Sequence, residues 1–213
     1  LDVGSTVTSA EADVTLRCPR CDGAVPAGRG RTAETVCQDC GGTWPIDEAG
    51  VVHLAAPNRE PDERDRAFLA RLEGASPREL NGPLAKTFPD RHRRWVDQRG
   101  TDWWLLGDLP RGVVAEVGGG LGGFAPTVAG RCETLVVFDS SLSRLRVVAA
   151  LAEVHGLDTV VPVLTGEPSL PVASSSVERV YVTGPLPRDS TERETGPVRE
   201  ALREGGEVHL RAR

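Results

Sequence analysis

Four of the five cysteines stand in two pairs, Cys18-x2-Cys21 and Cys37-x2-Cys40, with fifteen residues between the pairs. Each CxxC bends the chain into a tight knuckle that aims two thiolates at one point, and two knuckles complete the tetrahedral sulfur set that suits Zn²⁺. Pro19, Gly23, Gly41 and Gly42 put turn formers where the knuckles bend. With all four positions taken by cysteine, no ligand position is left for a catalytic water. The expectation is a structural zinc on Cys18, Cys21, Cys37 and Cys40. Two disulfides or a redox CxxC are the other readings of this spacing, and no secretory context supports disulfides. Cys132 stands apart, at the end of a predicted helix, and reads as a small buried filler. His53 reads as a strand-end histidine, neither a fifth ligand nor a base.

The second group of chemistry-bearing residues begins at Glu116. It ends the apolar run Val113-Val114-Ala115-Glu116-Val117 and precedes Gly118-Gly119-Gly120-Leu121-Gly122-Gly123. Glycines lacking Cβ let a backbone pass close to a ligand. Gly118-x-Gly120-x-x-Gly123 fits the dinucleotide fingerprint, with Asp139 near the distance of a ribose-binding acid. The same stretch also reads as Glu116-x-Gly118-x-Gly120-x-Gly122. Glu116 separates the two readings. A carboxylate at a strand end repels a pyrophosphate, whereas it suits a ligand with a cationic end, such as the amino group and sulfonium of S-adenosylmethionine. Asp139 would then take both ribose hydroxyls as a charge-assisted bidentate acceptor; its other reading is a cap for the helix after Ser140.

The elements that must position these residues alternate. Strands are expected at Val113–Val117, Leu135–Phe138, Val160–Leu164, Val177–Val182 and Val208–Leu210. Helices are expected at Phe124–Ala129, Ser143–Val154 and Val198–Arg203, with Gly205-Gly206 as a turn. Such βα alternation implies right-handed crossovers and a parallel sheet, with ligands at the carboxyl ends of its strands. Residues 57–110 begin as a charged, proline-bearing linker, become helical from Asp65 to Glu73, and are then interrupted by Pro77, Gly82, Pro83 and Pro89. Arg91-His92-Arg93-Arg94-Trp95 is the one dense basic run, read as a solvated helix face with Trp95 inward; Trp103-Trp104-Leu105-Leu106 reads as a buried helix.

Two resemblances extend this reading. Leu16-Arg17-Cys18-Pro19-Arg20-Cys21 and the run from Gly41 to Val52 resemble the Trm112-like zinc-ribbon family over about residues 14–54, with Trp44 in the aromatic slot and Val51-Val52-His53 departing from its usual Ile-Pro. That family's module precedes a methyltransferase domain or activates a separate one. Glu116-x-Gly118-x-Gly120-x-Gly122, Gly166-Glu167-Pro168-Ser169-Leu170-Pro171 with Ser174–Val180, and Ala201–Val208 resemble class I S-adenosylmethionine-dependent methyltransferases over about residues 100–213. The resemblance implies S-adenosylmethionine as cofactor, held by Glu116, Gly118, Gly120, Gly122 and Asp139, with Glu167 accepting from the adenine amino group. It places acceptor-binding or catalytic residues near Thr183-Gly184-Pro185. No general base is assigned, because a nucleophilic acceptor needs only alignment. A zinc ribbon before a methyltransferase domain also resembles a bacterial 23S rRNA guanine methyltransferase. The family's sheet has seven strands, and the last two are missing from the reading. A truncated chain, a partner or self-association completing the sheet, or decay to a binding module would each account for that; Glu178, where aspartate is usual, fits decay.

The expected architecture is α/β: a small zinc-ribbon β module (1–56), a linker and helical lid (57–110) and a Rossmann-like methyltransferase domain (111–213). Hydrophobic residues make up 39 % of the 213 and charged residues 26 %, which fits a folded globular chain. The absence of any Met implies that a native N-terminus has been removed. No run is long and apolar enough to span a bilayer and no secretion signal is read, so a cytoplasmic protein is expected. The net charge of −6 and the single lysine, Lys86, argue against nucleic acid and for a small-molecule acceptor such as a natural product or quinone. The competing function is a non-catalytic partner or activator built on the ribbon and a decayed scaffold; a zinc-dependent nucleic-acid binder is a third.

Overall fold

The computed structural model describes residues 14–27, 33–56, 63–73, 79, 82–90, 92–93, 96, 111–119, 122–166, 170–183 and 192–210. Gly120, Glu167, Gly184, Pro185, Trp95, Trp103 and Trp104 lie outside them.

The cysteine-rich part is two antiparallel hairpins, β1 (Val14–Arg17) with β2 (Ala24–Ala27) and β3 (Glu34–Val36) with β4 (Thr43–Pro45). Each hairpin turns through a CxxC knuckle closed by a short bond, Cys18 N–H to the Gly23 carbonyl and Cys37 N–H to the Gly42 carbonyl, both 2.8 Å. The fifth residue of each knuckle is left-handed: Asp22 at φ 63° and Gly41 at φ 67°. Glycine and aspartate tolerate that conformation best.

A two-residue strand, β5 (Val52–His53), then leaves the hairpins, and α1 (Glu63–Glu73) and α2 (Pro83–Thr87) follow. From residue 113 the elements alternate: β6 (Val113–Val117), α3 (Ala125–Val128) with a 3₁₀ turn at Ala129–Arg131, β7 (Thr134–Asp139), α4 (Leu142–Val154), β8 (Val160–Leu164), β9 (Val177–Val182), α5 (Glu192–Ala201) and β10 (Leu202–Leu210). The sheet order is β10-β9-β6-β7-β8-β5, every pair parallel. Its five later strands have the doubly wound Rossmann order, so the switch point lies between β6 and β9, above Gly118 and Thr183.

The two faces are covered differently. Val114, Leu135, Val137 and Tyr181 pack against Phe124, Leu145 and Val148 of the helical side. There α1 adds a further layer by setting Phe68, Leu69 and Leu72 on Val147 and Leu151 of α4. On the other face Ala115, Val136, Phe138, Val163 and Val180 share one core with Val14, Leu16, Val25 and Ala27 of the first hairpin. The β8–β9 connection, residues 165–176, carries no helix among the described residues. The ribbon occupies the layer that a crossover helix would otherwise fill. Main-chain bonds seal it there: Arg17 N–H to Pro171 O at 2.8 Å, Ala173 N–H to Thr15 O at 3.0 Å and Leu54 N–H to Leu164 O at 3.0 Å. Arg17 also bonds Glu200 of α5 at 2.6 Å and the Ser174 hydroxyl.

Four expectations are corrected. Val52–His53 is a sixth sheet strand beside β8, where the sequence suggested only the end of the ribbon. α5 spans Glu192–Ala201, earlier than Val198–Arg203, despite Pro197 in its interior. β10 then begins at Leu202 rather than Val208. Gly205 (φ 75°) and Gly206 absorb a register break between Leu202 and Glu207 instead of making a turn between elements.

Candidate metal centre and ligand cleft

The knuckles bring the four predicted thiols together, all four Sγ atoms within 4.8 Å of one another. Cys18 Sγ is 3.8 Å from Cys40 Sγ, and Cys21 Sγ is 3.6 Å from Cys37 Sγ. A tetrahedron with metal–sulfur arms of about 2.3 Å has edges of about 3.8 Å, so the donor set fits zinc. Among the described residues this is the one cluster of metal-ligating side chains. The Arg20 N–H points at Cys18 Sγ, 3.4 Å away. Burial pushes the Cys18 thiol up, but the Arg20 and Cys21 N–H groups and the Cys37 and Cys40 thiols bring it down to about 7. The opposite holds at Cys21: the Gly23 N–H draws it down, yet bonds to Cys40, Cys37 and Cys18 with desolvation push it up to about 12. Asp39 Oδ2 accepts from Ala24 N–H at 2.9 Å and ties the second knuckle to the first hairpin. His53 Nε2 lies 3.6 Å from Asp47 Oδ2, outside the sulfur cluster, and Cys132 is buried with its Sγ 3.8 Å from Ala129 O.

The predicted ligand residues lie at the carboxyl ends of β6, β7 and β9. Glu116 is 1 % exposed, in the centre of the sheet. Its Oε1 is 2.8 Å from Thr183 Oγ1, and that same Oγ1 is 2.8 Å from the Gly118 carbonyl oxygen. Glu116 Oε2 is buried with no partner. Burial pushes the Glu116 carboxyl up, the Thr183 hydroxyl partly offsets it and the nearby Asp139 charge adds to it, reaching about 8. Gly118 (φ 77°) and Gly122 (φ 71°) are left-handed. Gly119 leaves no room for a side chain: a Cβ there would lie 2.5 Å from Val137 Cγ1 and 4.0 Å from Glu116 Oε2. Gly119→Ala is therefore expected to cost about 1–3 kcal/mol, read as a lower urea midpoint at unchanged slope. An unchanged midpoint would contradict the packing described.

Asp139 is buried at the end of β7, as its spacing from Glu116 required. Oδ1 accepts from Ser141 N–H at 2.8 Å, so the carboxylate also closes the turn into α4, and Oδ2 lies 3.9 Å from Arg144 Nη1. The N-cap of α4 is Ser141, so the Asp139 carboxylate serves the turn ahead of the helix rather than its cap. Ser141 Oγ and Arg144 Nε are buried without partners beside it. Of the predicted ligand residues, Glu116, Gly118, Gly122 and Asp139 meet at this edge, whereas Gly120 and Glu167 lie outside the described residues. Sequence reasoning missed Gly119, Ser141 and Arg144; for Thr183 it had position alone, directly after the fourth strand of the α/β part. Glu178 accepts from Gly112 N–H at 2.8 Å and pairs with Arg203 at 2.8 Å, at the opposite end of the sheet. A separate cavity of about 400 Å³ lies between the first knuckle and the end of β8, lined by Arg17, Cys18, Leu54, Thr165 and Leu170; neither Glu116 nor Asp139 reaches it.

No family model and no curated protein matches the chain. Solved structures do overlap with it. A candidate S-adenosyl-L-methionine-dependent methyltransferase from Methanococcus maripaludis superposes with a TM-score of 0.49 at 12 % identity, covering 72 % of this chain and 66 % of that one. Precorrin 8w decarboxylase of Methanobacterium thermoautotrophicum gives 0.42 at 19 %, covering 54 % and 61 %. Phosphoethanolamine N-methyltransferase 1 of Haemonchus contortus, bound to phosphoethanolamine and S-adenosylhomocysteine, gives 0.49 at 17 %, covering 69 % and 32 %. The chain thus spans less than two thirds of each of these proteins. The Rossmann-like fold class follows from the strand order itself.

Proposed function

We propose that the carboxyl edge of the sheet binds S-adenosylmethionine and that the protein transfers its methyl group to a small acceptor. Glu116 carries this reading: a buried carboxyl at the switch point, with Oε2 unpartnered beside Gly119, fits the cationic amino end of an amino acid and no pyrophosphate. Bound there, the cofactor would supply an electrophilic methyl on a sulfonium. Glu116 would orient the amino group, the Gly118–Gly122 loop would admit the ligand against backbone, and Asp139 would accept from the ribose hydroxyls. Glu167 is assigned the adenine amino group on the sequence resemblance alone. In this reading residues 1–56 hold zinc in a structural role, 57–110 cover the cofactor and 111–213 bind it. A net charge of −6 with one lysine favours a small metabolite over RNA as acceptor. None of the described helices is long and apolar enough to cross a membrane.

Titration calorimetry with S-adenosylmethionine and S-adenosylhomocysteine tests the reading. Micromolar binding is expected, weakened roughly 10–100-fold or more in Asp139→Ala, as loss of a charged acceptor implies. A zinc-loaded protein that binds neither compound would remove the enzyme reading and leave the non-catalytic partner.

A further inference from the structure

Thr183 has one hydroxyl proton and two acceptors at the same distance. Its Oγ1 lies 2.8 Å from Glu116 Oε1 and 2.8 Å from the Gly118 carbonyl oxygen. A hydroxyl donates once. If Glu116 is a carboxylate, either that anion or the Gly118 carbonyl goes without its donor, and Oε2 stays an unpartnered charged oxygen in the protein interior. If Glu116 is an acid, every short contact is a proper bond: Oε1–H donates to Thr183 Oγ1, and Thr183 Oγ1–H donates to Gly118 O. The surroundings favour the acid. Glu116 is buried in the central strand, no basic side chain is among the groups that act on it, and the charged group that does, from β7, is the Asp139 carboxylate. The hydroxyl reaching it from the end of β9 is uncharged.

We infer that Glu116, buried beside the Asp139 carboxylate and bonded to Thr183, is a neutral acid in the free protein, and that capture of a cationic amino group at this site releases the Glu116 proton. The inference rests on the S-adenosylmethionine reading and deepens it. On binding, the Oε1–H bond breaks and its proton passes to solvent. Thr183 Oγ1–H rotates from the Gly118 carbonyl to the new carboxylate, and the ligand ammonium donates to Oε2. One proton leaves for each ligand bound, the site stays electrically balanced, and the Gly118 carbonyl is freed as a further acceptor. Thr183 acts here as a positioning residue.

Calorimetry of the zinc-loaded full chain with S-adenosylhomocysteine at pH 6.5, in buffers of differing ionisation enthalpy, counts the protons. The wild type is expected to release about one per ligand, and its affinity to rise about tenfold per pH unit between pH 5.5 and 7. Glu116→Gln, which has no proton to give, should release none. Thr183→Ser should keep the release. Thr183→Val should move the pH midpoint of binding upward, because the hydroxyl-to-carboxylate bond it deletes is stronger than the acid-to-hydroxyl bond. Binding with no proton release by the wild type would overturn the inference and leave the cofactor reading standing. No binding at all would remove that reading. In that case the infrared carboxyl stretch of the free protein at neutral pH decides the remaining half: a protonated-acid band lost in Glu116→Gln supports the neutral acid, and its absence from the wild type overturns it.

Discussion

Replacing Cys37 by serine is expected to destabilise the whole protein by at least about 3 kcal/mol, and metal analysis of the wild type to return about one zinc per chain. The size of the effect comes from where the thiols lie. Cys18 and Cys37 are buried in the same core as Val163 and Val180, in the middle of the parallel sheet. Without the metal, each knuckle retains only short closing bonds such as Cys18 N–H to Gly23 O. The first hairpin is then held by its core and main-chain contacts alone, and its loss would expose Ala115, Val136, Phe138 and Val163, which have no helix from the β8–β9 connection to replace it among the described residues. Chelation should accordingly lower the melting temperature in one cooperative transition and weaken ligand binding at Asp139 with it. A ribbon that melts separately, leaving sheet and binding intact, would show that the two parts do not share a core.

Glu116→Gln should raise the stability of the free protein at pH 8 while impairing cofactor capture. The carboxyl ionises near 4.5 in an unfolded chain and near 8 in the fold. Between these values the folded state keeps a proton that the unfolded state has lost, so stability is full below about pH 4.5 and falls as pH rises toward 8. At pH 7 the loss is on the order of 3 kcal/mol, and glutamine, which never ionises, avoids it. For a chain of this size the variant should melt higher by several degrees at pH 8, with the difference closing near pH 4.5. Equal melting temperatures at both pH values would mean that Glu116 is ionised at no cost. A residue whose replacement stabilises the fold and disables the site is one retained for binding.

The chemistry-bearing residues were legible because their constraints are local. A CxxC pair needs only four residues to form a knuckle, and the glycine loop with its acidic head is one strand end. Strands Val113–Val117, Val160–Leu164 and Val177–Val182 were readable to the residue because apolar runs bounded by polar turns leave little choice. What escaped was non-local. Val52–His53 is too short to carry a period, and its place beside Val163–Leu164 depends on a neighbour far along the chain. The end of α5 was misplaced because Gly205-Gly206 suits a turn as well as a bulge, and only the pairing with β9 decides. Thr183 could be singled out by position, but its sharing of one proton between Glu116 and Gly118 needs coordinates.

The seam between ribbon and sheet also fixes an order of assembly. Val52 pairs with Val163 and Leu16 with Val172, partners more than a hundred positions apart. Contacts of such separation form late, because the loop entropy is lost before the contact returns anything. As the chain leaves the ribosome, the four cysteines emerge long before β8 exists, and they can gather metal while the surface that will cover them is still unmade. Hairpins folded around such an ion would hold Leu16 and Val25 uncovered until Val160–Leu164 and Leu170–Val172 arrive. For that interval apolar side chains that the finished fold buries would stand exposed, the state in which chains are prone to aggregate.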